Sequence, residues 1–188
     1  MRLLIPFLIL SCFSCEKLPE QYTNLNGGQI DIIGHGGGGE QNFQNPHPWN
    51  SWKSIEYGLA RDVDGIEIDV QLSADSVLFL YHDEYLSPET NCNDCVSSHS
   101  SRELKNCAQK AGFFGASDSH PLMSLDELRL RLLSLDTQPR VCLNVRVNDA
   151  CDNWLVYPQL FYLYASKLAA FSQAYPNTDI TTPDINLL

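Results

Sequence analysis

Four side chains able to do chemistry fall into two short stretches: His35, after Asp31-Ile32-Ile33-Gly34, and Glu67, Asp69 and His82 within Gly65 to Asp83, GIEIDVQLSADSVLFLYHD. Glu67 and Asp69 alternate with Ile66, Ile68 and Val70, so on a strand both acids leave one face. Two carboxylates there are costly unless a cation or hydrogen bonds compensate them. Oxygen ligands of this kind suit a hard ion such as Mg²⁺ or Ca²⁺. His35 and His82 each close an apolar run, and two imidazoles near two acids suit general acid–base work on a phosphoester. His47, His99 and His120 read as structural.

The elements that must position these groups follow from the pattern around them. Leu72 to Ser76 is too short for a parallel crossover, so Val77 to Tyr81 should return antiparallel. A hairpin centred near Ala74 and Asp75 sets His82 beside Glu67. Gln29 to Ile33 reads as a first strand running into Gly34-His35-Gly36-Gly37-Gly38-Gly39, which lacks the lysine and spacing of a phosphate-binding P-loop. Asn42 to Asn50 is a loop by its Pro and Asn content. A helix begins at Ser51 with Trp52, Ile55 and Leu59 on one face. Strand, helix, strand makes a βαβ unit and favours a parallel sheet with helices outside. Glu84 to His120 is a long stretch without clear periodicity, the mark of a lid or specificity insert. Ser124 and Glu127 form a capping box for a helix to about Leu133. Arg140 to Val147 is the next strand, Trp154 to Ala174 an apolar helix, and a further strand starts near Asp179.

Composition excludes some roles. With 12 Lys and Arg against 23 Asp and Glu, the formal net charge is −11, and no basic stripe is available for nucleic acid. An anionic substrate therefore needs local positive charge, from a metal ion or a few placed cations. Residues 1–15 combine Arg2, an apolar run from Leu3 to Leu10 and Ser-Cys-Phe-Ser-Cys, which reads as an export signal. Ser11-Cys12 and Ser14-Cys15 each resemble a bacterial lipoprotein cleavage site, so the expectation is an exported, cell-envelope protein, periplasmic or lipid-anchored. Residues 16–28 form a polar tether. The expected contact with membrane is that anchor alone. Beyond the leader lie Cys92, Cys95, Cys107, Cys142 and Cys151, an odd number that leaves at least one unpaired. Cys92-Asn-Asp-Cys95 is a lone CxxC, better read as a local disulfide to Cys107 or as free thiols than as a zinc site.

His35-Gly36 closing the first strand, then GIEIDVQLSADS, VLFLYHDEYLSPET and PLMSLDEL, together resemble the glycerophosphodiester phosphodiesterase family over about residues 29–147. The resemblance implies a TIM-type (β/α) barrel and a divalent cation, Mg²⁺ or Ca²⁺. It also implies hydrolysis of a small-molecule glycerophosphodiester to an alcohol and glycerol 3-phosphate. By position it makes His35 and His82 the catalytic pair and Glu67 and Asp69 metal ligands. In three respects the chain departs from the family pattern. Gly36 stands where an arginine usually follows the first histidine. Arg146 stands in Leu143-Asn144-Val145-Arg146-Val147 where a third acidic ligand is usual, and is a candidate for the substrate phosphate; Asp149 or Asp152 could replace the lost ligand. A full barrel takes about 250 residues, so domain 29–188, with its insert at about 84–120, is expected to form a barrel truncated after about half the strands. The alternatives are a non-catalytic remnant of the family and a related barrel phosphodiesterase acting on lysophospholipids or inositol lipids.

Overall fold

The strand Gly65–Leu72 (β2) is the axis of the fold. Its β-branched residues Ile66, Ile68 and Val70 are fully buried, as alternation along a half-apolar strand requires. The computed structural model describes residues 27–28, 30–42, 44–110, 119–147, 151 and 158–182. Residues 31–188 form one unit and residues 1–30 another. The leader, with Cys12 and Cys15, lies outside the described residues, as do most of the tether and both Asp149 and Asp152.

Four strands run parallel in the order β1-β2-β6-β7. They are Ile33–Gly34 (β1), β2, Arg140–Val145 (β6) and Thr178–Thr181 (β7). The helices of this frame are Trp52–Leu59 (α1), Leu125–Leu133 (α3) and Pro158–Ala174 (α4). Ser51 caps α1 through the Ser54 N–H, and Ser124 and Glu127 make the expected capping box on α3. On the helical side, Ile66, Ile68 and Val70 pack with Val141, Leu143 and Val145 of β6 and with Leu128, Leu132, Leu168 and Phe171. Each such side chain contributes about 1.5–3 kcal/mol on burial.

The first strand is shorter than the sequence suggests, because only Ile33 and Gly34 pair with Gly65 and Ile66. The same edge of β2 is then taken over by Leu78–Leu80 (β3), which pairs antiparallel with Val70 opposite Leu80 and Leu72 opposite Leu78. The hairpin thus turns about Asp75, one residue off the expected register. Ser73 Oγ donates to Asp75 Oδ1 at 2.7 Å and accepts from the Val77 N–H at 2.9 Å, while Ser76 takes a left-handed φ of 68°. This loop fixes an odd spacing, and His82 falls past the end of the ladder, not beside Glu67.

The described residues of the insert carry more secondary structure than its composition implies. It contains a 3₁₀ turn at Val96–Ser98, a short helix Ser101–Leu104 (α2) and a two-stranded sheet of Ala108–Lys110 (β4) and Ser119–Pro121 (β5). A second core forms from Phe79, Tyr81, Leu86, Val96, Leu104, Cys107 and Leu122. β3 therefore feeds two cores, with Leu78 and Leu80 facing the main one. Cys92 pairs with Cys107 and Cys95 with Cys151, leaving Cys142 free. The insert is also pinned to the hairpin, since Asp75 accepts from the Ser101 N–H and hydroxyl, both at 2.7 Å.

Two predictions arise from this attachment. Replacing Cys92 and Cys107 by Ser opens a loop of 15 residues and should cost about 3 kcal/mol in chemical denaturation; a loss under about 1 kcal/mol would show that the insert core holds without the crosslink. The Ser101 hydroxyl, the Ser73 hydroxyl and the Ser101 N–H hold the Asp75 carboxyl down at about 2. A depressed carboxyl contributes stability above its unfolded pKa and loses it as pH falls through the folded value. Asp75→Asn should therefore melt lower than wild type at neutral pH, with the gap closing between about pH 4 and pH 2. A gap independent of pH would sink this account.

Candidate functional site

The side of β2 opposite the main core carries Glu67 and Asp69, and the structure gives each carboxylate a different partner set. Asp69 is completely buried. Its Oδ2 accepts from Asn50 Nδ2 at 3.1 Å, and its own N–H donates back to Asn50 Oδ1 at 2.9 Å. Its Oδ1 accepts from Asn144 Nδ2 at 2.9 Å and lies 3.1 Å from Arg146 Nε. The Arg146 Nε–H is buried and not aligned for a hydrogen bond, so this contact is an ion pair. Asn144 faces Asp69 because β6 runs in parallel register with β2, Glu67 to Cys142 and Asp69 to Asn144.

Glu67 reaches the loop after β1. Its Oε2 lies 2.8 Å from His35 Nδ1 and accepts the Gly36 N–H at 3.1 Å. With Nδ1–H donating to a carboxylate, His35 is left with Nε2 as its free acceptor. The ring is 55% exposed, against 17% for Glu67. Gly36 has φ 57°, and a Cβ there would stand 3.0 Å from Trp49 Cβ. The glycine run lets this loop lie against Trp49 and α1; among its N–H groups, that of Gly36 goes to Glu67.

His82 contacts the same indole as His35: each imidazole centroid lies 5.3 Å from the Trp49 ring. His82 Nδ1 is 2.7 Å from Asp83 Oδ1, and its Nε2 meets Arg146 Nη2. A guanidinium only donates, so Nε2 is the acceptor and Nδ1 carries the proton toward Asp83. Arg146 thus touches both Asp69 and His82. Its backbone is fixed as well, the N–H donating to Val70 O at 3.0 Å and the carbonyl accepting from Tyr164 OH at 3.3 Å.

His35, His82, Glu67, Asp69 and Arg146 are brought to one place, as two clusters whose histidines both contact Trp49. Asn50, Asn144 and Trp49 are the site residues that sequence reasoning missed. Asn144 carried a signal, two residues before Arg146 on the same face of a strand; Asn50 and Trp49, in a Pro- and Asn-rich loop, carried none. Cys142 lies next to Glu67, but burial first and then Asp179 push its thiol up, which keeps it out of nucleophilic use. Beside the site opens a cleft of about 260 Å³ lined by Glu40, Trp49, Tyr81, Asp83, Glu89 and Gln109 among others. Burial, aided by Asp83 and Glu89, raises the Tyr81 phenol, which donates to Tyr85 O at 3.0 Å.

The divalent ion that the family resemblance implies does not fit this donor set. Mg²⁺ and Ca²⁺ need several oxygen ligands with lone pairs turned toward them. Both Asp69 oxygens already receive donors, one of them against a full positive charge. Among the described residues no group of three or more His, Cys, Asp or Glu side chains could hold a metal. Like unit charges 4 Å apart repel by about 4 kcal/mol at an effective dielectric near 20, and a divalent ion doubles that.

The comparisons with known proteins agree with the geometry on family and fold. The profile of the glycerophosphoryl diester phosphodiesterase family matches residues 38–150. A glycerophosphodiester phosphodiesterase of Bacillus altitudinis is 33% identical over 86 residues, which cover 46% of this chain and 35% of that protein. The glycerophosphodiester phosphodiesterase of Agrobacterium tumefaciens superposes with a TM-score of 0.65 at 22% identity, covering 85% of this chain and 60% of the other. An Oleispira antarctica phosphodiesterase, solved in complex with the product sn-glycerol-3-phosphate, gives 0.63 at 20% identity, over 83% of this chain and 58% of that one. This chain therefore spans about a third of the length of the Bacillus altitudinis relative and about three fifths of these solved structures. The parallel strands and their helices make the fold part of a TIM-type barrel. On the match over residues 38–150, the chain belongs to the glycerophosphoryl diester phosphodiesterase family.

Proposed function

We propose that this chain carries the phosphoryl-handling part of a glycerophosphodiester hydrolase, and that His35 and His82 are its proton-transfer residues. The observation that supports this most is the pair of imidazoles that both contact Trp49, each backed by its own carboxylate. In this reading His35 Nε2 takes a proton from the attacking water as its oxygen bonds to phosphorus. The phosphorus–oxygen bond to the alcohol breaks, and the leaving alkoxide takes the Nε2 proton of His82, which enters the step as the imidazolium. Arg146 meets the phosphate charge, its guanidinium passing from His82 Nε2 to a phosphoryl oxygen and freeing that nitrogen. Glu67 and Asp83 hold the ring tautomers, and the cleft beside Trp49 receives the alcohol. Export to the cell envelope, with a lipid at Cys12 or Cys15, belongs to the same proposal. The two disulfides support it, being of a kind that an oxidising compartment permits.

A second reading is favoured by one contact: Arg146 already occupies His82 Nε2, the atom an acid would use. On that reading the domain keeps the family fold without its activity. One assay separates the two. Incubated with glycerophosphocholine, the folded chain should release glycerol 3-phosphate, and His35→Ala and His82→Ala should each lower kcat about 100-fold or more. A folded, monodisperse chain that releases none supports the inactive domain.

A further inference from the structure

We propose that the Arg146 guanidinium is the resident cation of this site, standing where a divalent ion would otherwise be held and excluding it. The inference rests on reading these residues as a phosphodiester site, and it differs from what the family resemblance implies. Asp69 has no exposed surface, so its charge must be met from within the protein. Asn50 and Asn144 supply hydrogen bonds to its two oxygens, and Arg146 supplies the positive charge at 3.1 Å. The Glu67 oxygen nearest the loop is taken by His35 and by the Gly36 N–H. What remains is a net charge of one negative unit from Glu67, Asp69 and Arg146 together, too little to draw in a hard cation against the guanidinium.

The backbone that carries Arg146 is held in place. Its N–H is bonded to Val70 O, and its carbonyl to a Tyr164 hydroxyl that also accepts from the Leu72 N–H at 2.9 Å. The residue is thereby latched to β2 at the level of Asp69, and its side chain is 30% exposed. An exchangeable ion has been replaced by a covalently mounted one, a planar donor whose geometry suits phosphate oxygens.

Isothermal titration with CaCl₂ and with MgCl₂, without any substrate, tests this on the full chain. Wild type should take up neither ion below about millimolar concentration, and 5–10 mM of either should leave its Tm unchanged. Arg146→Glu exchanges the cation for a third oxygen ligand and should bind Ca²⁺ at least about tenfold tighter than wild type, with a Tm rise reversed by EDTA. Tight binding of either ion by wild type, abolished in Glu67→Gln, would overturn the proposal, whether or not the Arg146 variant folds. So would a folded Arg146→Glu that binds no better than wild type. No turnover is read, so the titration decides equally for a chain without activity, and failure to hydrolyse glycerophosphocholine counts only against the proposed reaction.

Discussion

A carboxylate with no access to water, Asp69, sets the terms for the rest of this structure. A buried ionised acid is tolerated only when hydrogen bonds and an opposite charge surround it. Meeting that demand draws three side chains from two pieces of the chain. Asn50 comes from the loop before α1, Asn144 from the middle of β6, and Arg146 from the point where β6 ends. Each is tied to β2 by the same two oxygens. Removing any one partner leaves a buried lone pair or an unpaired charge, which costs more than the partner's own bond is worth.

The alternation of β2 divides the molecule between stability and chemistry. Ile66, Ile68 and Val70 go to the helical side, where α3 and α4 cover them. Glu67 and Asp69 go to the other, where in a complete barrel branched apolar side chains would fill the space. β3 repeats the device on a smaller scale. Leu78 and Leu80 enter the main core while Phe79 and Tyr81 enter that of the insert. The crosslinked insert is therefore continuous with the strand that delivers His82, and Tyr81 is the last residue before it.

Much of this was legible in the sequence, and the reasons are local. A period of two over GIEIDV placed both acids on one face, Ser51 and Ser124 marked helix starts, and the order of elements gave the parallel sheet. Arg146 stood out only through the family resemblance, as a departure from that family's strand motif. The failures lie where long-range geometry decides. A one-residue change in the Ser73–Val77 loop moved His82 from Glu67 to Arg146, and nothing in the residue types distinguishes the two registers. Asn50 reads as a turn residue, and its left-handed φ of 58° agrees with that. Its role as a ligand of Asp69 exists only because the fold brings that loop back over β2. Cys107 could be named as a local partner for the Cys92–Cys95 motif, with nothing to say which of the two it joins; Cys95 and Cys151, 56 residues apart, could not be paired this way.

Where the positive charge is mounted has a mechanical consequence. At Gly36 a side chain would press on Trp49, and Trp49 is in contact with both imidazoles. A long cation at that point of the loop would disturb the ring against which both imidazoles rest. Placed at the end of β6, the guanidinium is oriented by a strand that is itself hydrogen-bonded on both sides, by β2 and β7. Groups carried on a sheet hold their geometry more closely than groups carried on a loop. The loop is left to contribute His35 and a backbone N–H, both directed at Glu67. The charge that faces solvent is thus held by the same buried carboxylate that holds the strands together, so the placement of the site and the stability of the sheet depend on one set of bonds.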